Sequence, residues 1–208
     1  MRAGLLLALL PAAAASLLNA SAACPITATT QVAVYTDVAG GVGAGSANWE
    51  RNFWAWWRAL DARVEWVELA AADVAARCDL AAFAGLRLYA QPGGNAYDEQ
   101  LGVTPAGTAN IRRFLDARAS ARYLGTCAGW YFAATDYWWQ GVHYDAAAEP
   151  NLLGRFDATV EGSITDLADY DGSPPYAVAG LDNGLEALYY GGPTRGWRTR
   201  VTTRRSGS

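Results

Sequence analysis

Residues 123–132 read YLGTCAGWYF. A short apolar run ends at Gly125, a cysteine follows, and Gly129 opens a segment of helical character. A strand that passes through Gly-x-Cys-x-Gly straight into a helix is the thiol form of a nucleophile elbow. Gly125 and Gly129 remove the side chains that would clash in so sharp a turn, and this leaves Cys127 standing at the C-terminal edge of the sheet. Open α/β sheets bind their ligands at that edge. A helix expected over 128–139 presents unpaired N–H groups and its dipole to Cys127 and favours the thiolate, the nucleophilic form. The alternative for the same residue is a small buried apolar thiol.

The sequence on either side alternates strand and helix. Residues 31–37 (QVAVYTD) read as a strand, followed by the glycine-rich turn AGGVGAGSAN, which lacks both a Gly-Lys-Ser/Thr and a dinucleotide fingerprint. In 47–60 (ANWERNFWAWWRAL), Trp49, Phe53, Trp56 or Trp57, and Leu60 recur at helical spacing and predict a helix that buries this stripe against a sheet. The nine tryptophans also raise a carbohydrate platform. Next come a strand over 64–70, a helix over 72–83 carrying Cys78, and a strand over 86–91 that ends at Pro92-Gly93-Gly94. Thr104 and Pro105 are suited to a helix start, with Ile111, Phe114 and Leu115 on the buried side. A strand over 121–126 leads into the elbow. Beyond Gly141 the pattern loosens into an irregular connection and strands over 155–164 and 185–190. Such alternation argues for an α/β domain with a mainly parallel sheet covered on both faces.

With 208 residues, 52% of them hydrophobic, the chain suits one well-buried domain better than two. A net charge of −4 argues against nucleic acid and anionic membrane surfaces as partners. All sixteen basic residues are arginine, which excludes lysine Schiff-base chemistry. Residues 1–23 have one basic residue, an apolar run and small residues in an Ala-x-Ala pattern, so they read as a secretory signal and the mature protein is expected to be secreted. Oxidising compartments pair thiols, and three cysteines leave one over. If Cys24 and Cys78 pair, they tie the mature N-terminus to the domain and Cys127 stays free. His143 near Asp145 falls short of a metal site, and no cofactor is expected.

The Pro-Gly-Gly turn completes the candidate site. Backbone N–H groups of Gly93 and Gly94 can point at a developing oxyanion, with the amide of Ala128, the residue after the nucleophile, as the partner donor.

Three segments, Gln91-Pro92-Gly93-Gly94-Asn95, residues 123–133 and Leu188-Tyr189-Tyr190-Gly191-Gly192, resemble the class I glutamine amidotransferase-like superfamily. Within it they are similar to the branch of the biotin-protein ligase N-terminal domain, which also occurs as secreted stand-alone fungal proteins. The resemblance spans roughly 31–193 of a domain over 24–193. It implies a three-layer, flavodoxin-like sandwich with Cys127 as nucleophile and a pocket lined by Asn95, Tyr97, Gly125, Gly129, Glu161 and Tyr190. The superfamily's enzymes take a histidine base from a late turn. His143 comes too early for that, since twelve helical residues after the elbow would carry the chain ~18 Å away. Acidic partners for Cys127 are then Glu161, Asp37 and Asp98. The arginine-rich stretch 194–208 reads either as a solvated tail or as the place where the closing elements of the domain are cut off.

Three functions fit. The first is a cysteine-dependent amide or acyl hydrolase with an incomplete triad. Glutamine amide transfer is disfavoured, because an exported protein lacks a synthetase to consume ammonia. The second is a non-catalytic module holding a small molecule or peptide, and the third is a carbohydrate-binding domain.

Overall fold

A computed structural model describes residues 23–145, 151–162, 177–180, 186–189 and 194–195. Residues 1–22, which hold almost all of the expected signal, lie outside the described residues, as do Tyr190, Gly191 and Gly192.

Four short strands, β1 (Val32–Tyr35), β2 (Trp66–Leu69), β3 (Leu88–Gln91) and β4 (Arg122–Gly125), form a parallel sheet in the order β2-β1-β3-β4. Side chains alternate across a strand, and β1 divides its residues accordingly. Val32 and Val34 pack with Ala90 and Trp54 on one face, while Ala33 and Tyr35 join Tyr89, Val103, Ile111 and Phe114 on the other. Trp54 belongs to α1 (Ala44–Leu60), and Val103, Ile111 and Phe114 to α2 (Ala96–Ala117). Helices therefore cover both faces, as the strand–helix alternation requires. Cys24 and Cys78 are joined by a disulfide, and Cys127 is free.

Helix α1 turns a different face inward from the one its aromatic spacing predicts. Its buried residues are Ala47, Glu50 and Trp54, whereas Trp49, Trp56, Trp57 and Leu60 are 59%, 57%, 43% and 67% exposed. The exposed rings pack on each other, Trp49 lying flat on Phe53 with centroids 5.2 Å apart. Glu50 can be buried because the Trp54 indole N–H donates to its Oε2 at 2.7 Å. A polar residue at an inward position thus concealed the true face.

Helix α2 begins earlier than Thr104. Asn95 caps it, its side-chain oxygen accepting from the N–H groups of Tyr97 and Asp98. Thr104 interrupts the helix with φ 66°, ψ 164°, and the ring of Pro105 disfavours a helical conformation at the residue before it. The expected start at Pro105 is a restart. The helix expected over 72–83 is instead a π turn (Asp73–Arg77) and a 3-10 turn (Leu80–Ala82), with Cys78 extended between them. Asn110 of α2 holds this break open, donating to the carbonyls of Val74 and Cys78 and accepting from Leu80 N–H.

The helix expected over 128–139 is also shorter. α3 (Ala128–Ala133) has six residues and passes into β5 (Ala134–Trp139). The carbonyls of Phe132, Ala133 and Ala134 accept from Leu153, Arg155 and Gly154 N–H, so they are taken from any further helical turn. β5 pairs with β6 (Val142–Asp145) and β7 (Phe156–Gly162), and β7 with β10 (Thr194–Arg195), in a second sheet. β8 (Ala177–Gly180) and β9 (Glu186–Tyr189) form a two-stranded ladder. Thr194 and Arg195, where the tail was expected to begin, are thus in a strand. No helix among the described residues is long and apolar enough to cross a membrane.

Candidate functional site

In the order β2-β1-β3-β4 the chain leaves β1 for one neighbour and β3 for the other side, so the C-terminal ends of β1 and β3 flank a switch point where open sheets bind ligands. Three loops meet there. Gly43 N–H donates to Gly93 O at 3.0 Å and Asn95 N–H to Gly41 O at 3.0 Å, which ties the glycine-rich turn after β1 to the turn after β3. Gly129 N–H donates to Pro92 O at 3.0 Å, which ties in the elbow after β4. The glycine-rich turn is thus a wall of the site rather than a phosphate loop.

Backbone packing this close explains the glycines. A Cβ on Gly129 would lie 2.0 Å from Gln91 O, one on Gly125 2.6 Å from Gly129 O, and one on Gly94 2.2 Å from Gly41 O. A Cβ on Gly93 would lie 2.9 Å from Cys127 Cβ and 3.1 Å from Ser46 Oγ. The turn itself falls on Cys127, which has φ 50° and ψ −111°, a conformation that L-residues rarely adopt and that marks strained functional turns.

Cys127 is half-buried and lies against the turn after β3, where a Cβ on Gly93 would fall 3.5 Å from its sulfur. Burial pushes the Cys127 thiol up; the Ala128 N–H opposes this, the charge of Glu99 adds to it, and the Gly94 N–H opposes it. Contrary to the expectation from sequence, the site disfavours the thiolate. Six residues make a short dipole in place of a twelve-residue one, and two amides do not outweigh desolvation.

The acid whose charge reaches the thiol is Glu99, which is not at a strand end and was not among the expected acids. It is fully buried in the first turn of α2. Gln91 Nε2 donates to its Oε2 at 2.9 Å, and Tyr89 OH donates to Gln91 Oε1 at 2.8 Å. Glu99 Oε1 is buried with no hydrogen-bond partner among the described residues, and a Cβ on Gly94 would lie 2.9 Å from it. Burial pushes the Glu99 carboxyl well up, against the Gln91 hydrogen bond. Reading Asn95 as a helix cap would have found it, because the cap places Glu99 one turn along, facing back over Gly94.

The expected acids are occupied or placed elsewhere. Asp37 accepts from Gly40 and Ala71 N–H, Asp98 is exposed on α2, and Glu161 is exposed on β7, in register with Trp138 and Thr194. Asn95 spends its side-chain oxygen on the cap. Tyr97 packs against Tyr144 with centroids 5.9 Å apart. His143 lies on β6, stacked on Trp138 with its Nε2 4.0 Å from Asp136 Oδ2. Its position follows from a strand hairpin, not from the long helix assumed above.

A crystal structure of a glutamine amidotransferase matches this chain with a TM-score of 0.51 and 17% identity, over 81% of this chain and 75% of that one. The fold is amidotransferase-like. At that identity the likeness concerns the fold alone. No family model matches the sequence, and neither does any curated protein. The site itself is carried by this chain's own geometry, in which the amidotransferase-like fold brings Cys127, Gly93, Gly94, Ser46 and Glu99 together.

Proposed function

We propose that the protein is a secreted, cysteine-dependent amide or acyl hydrolase of the biotin-protein ligase N-terminal-like branch, acting through Cys127. The observation that carries this reading is the elbow: a partly exposed Cys127 at φ 50°, its sulfur against the Gly93-Gly94 turn, where a Cβ on Gly93 would lie 3.5 Å from it. In the reaction the sulfur attacks the acyl carbon and a C–S bond forms. The former carbonyl oxygen takes up the negative charge and the backbone N–H groups of Gly93, Gly94 and Ala128 supply donors for it. Collapse of the intermediate breaks the bond to the leaving group, and water then cleaves the thioester.

Incubation with an activated ester such as p-nitrophenyl acetate, followed by mass spectrometry, tests this. Acyl mass on the peptide containing Cys127, absent in Cys127→Ala, is the expected result. No acylation, or acylation that survives the substitution, sinks the reading. One feature favours a second reading, a non-catalytic pocket for a small molecule or peptide: burial pushes the Cys127 thiol up. On that reading Cys127 stays unacylated and resists alkylation until the protein unfolds.

A further inference from the structure

The buried carboxyl beside the elbow has no structural task that accounts for both of its oxygens. Oε2 accepts from Gln91, but Oε1 has no partner among the described residues. An unpaired buried polar oxygen costs about 1–3 kcal/mol, so its retention needs an explanation. The turn after β3 touches both groups: the place of a side chain on Gly93 is 3.5 Å from Cys127 Sγ, and that on Gly94 is 2.9 Å from Glu99 Oε1.

Resting on the hydrolase reading above, we infer that Glu99 is the general acid–base of the Cys127 site. As the sulfur attacks, the thiol proton passes to Oε1, directly or through one water. The protonated carboxyl then gives that proton to the departing nitrogen or oxygen. In the second half the carboxylate takes a proton from the attacking water, and the restored acid returns it to the thiolate as the C–S bond breaks. No electrons are exchanged, and the enzyme ends as it began.

The surroundings suit this exchange. The charge of Glu99 reaches Cys127 at the elbow, Tyr35 on β1, Tyr89 on β3 and Tyr123 on β4, and that of Asp37 also reaches Tyr35. None is a cation that would lock the carboxyl in its ionised form. Burial pushes all three tyrosines up, so they stay neutral in the working range. A glutamate lifted out of the ordinary carboxylate range is a better base for a thiol than an exposed one.

Glu99→Gln separates this role from a structural one, because it should move two readings in opposite directions. Removing the negative charge lowers the pH midpoint of Cys127 alkylation by iodoacetamide. Removing the proton carrier slows Cys127 acylation by p-nitrophenyl acetate about 100-fold or more. A midpoint that stays or rises, or acylation that is unchanged in the variant, overturns the inference. If the wild type never acylates, the hydrolase reading fails, and the alkylation midpoint still decides whether the two groups share a proton. Should Glu99→Gln not fold, the wild-type protein supplies the answer through the 13C carboxyl resonance of Glu99. That resonance should show a second inflection where Cys127 titrates, lost in Cys127→Ala; a single inflection in the wild type overturns the inference.

Discussion

Gly129→Ala tests whether the elbow is held by backbone contact with β3. The added Cβ would meet Gln91 O at 2.0 Å, Gln91 C at 2.8 Å and Gln91 Cβ at 3.0 Å. Carbon and oxygen rest at about 3.3 Å even in close backbone contacts, so the start of α3 and the end of β3 must separate by roughly 1 Å. The same shift lengthens two hydrogen bonds, Thr126 N–H to Gln91 O at 3.1 Å and Gly129 N–H to Pro92 O at 3.0 Å, beyond their useful range. Overpacking costs about 1–3 kcal/mol, and each weakened bond about 0.5–1.5 kcal/mol. The better helix propensity of alanine returns about 1 kcal/mol. The net loss is about 1–5 kcal/mol, centred near 3, a large share of the ~5–15 kcal/mol by which domains are stable. Urea unfolding followed by tryptophan fluorescence measures it. Gly45→Ala is the control: nothing lies within 4 Å of its Cβ, so in the first turn of α1 it should be neutral or gain up to ~1 kcal/mol. A Gly129→Ala protein that loses less than its control would refute the close-contact argument.

Two further outcomes rest on the fold. Trp54→Ala should cost about 3–5 kcal/mol as a buried large-to-small change, whereas Trp49→Ala, which loses an exposed stacking partner, should cost less than about 1.5 kcal/mol; chemical denaturation of both checks which face of α1 is inside, and the reverse order would show it to be wrong. Replacing Cys24 and Cys78 by serine opens a loop with a sequence separation of 54, worth about 4 kcal/mol by loop entropy. Thermal unfolding should then shift down by roughly 8–16 °C for a chain of this size, and a shift under ~3 °C would show that the link contributes little.

The sequence by itself determined the parallel sheet and the elbow. β1 is a short β-branched and aromatic run, β3 ends at Pro92 and β4 at Gly125, and Gly125, Gly129 and the Pro92-Gly93-Gly94 turn are needed where backbones approach so closely. These are local requirements, legible in composition and spacing. The tertiary structure decided what depended on partners distant in the chain. The inward face of α1 was settled by the sheet, where Trp54 packs on Val32, Val34 and Ala90 against an aromatic stripe that pointed the other way. The length of α3 was settled by the amides of residues 153–155, which claim its last carbonyls. Glu99 owes its place in the site to burial over Gly94, and burial is a property of the packed molecule: in the sequence it is one acid of twenty, and only the walls around it push its carboxyl up.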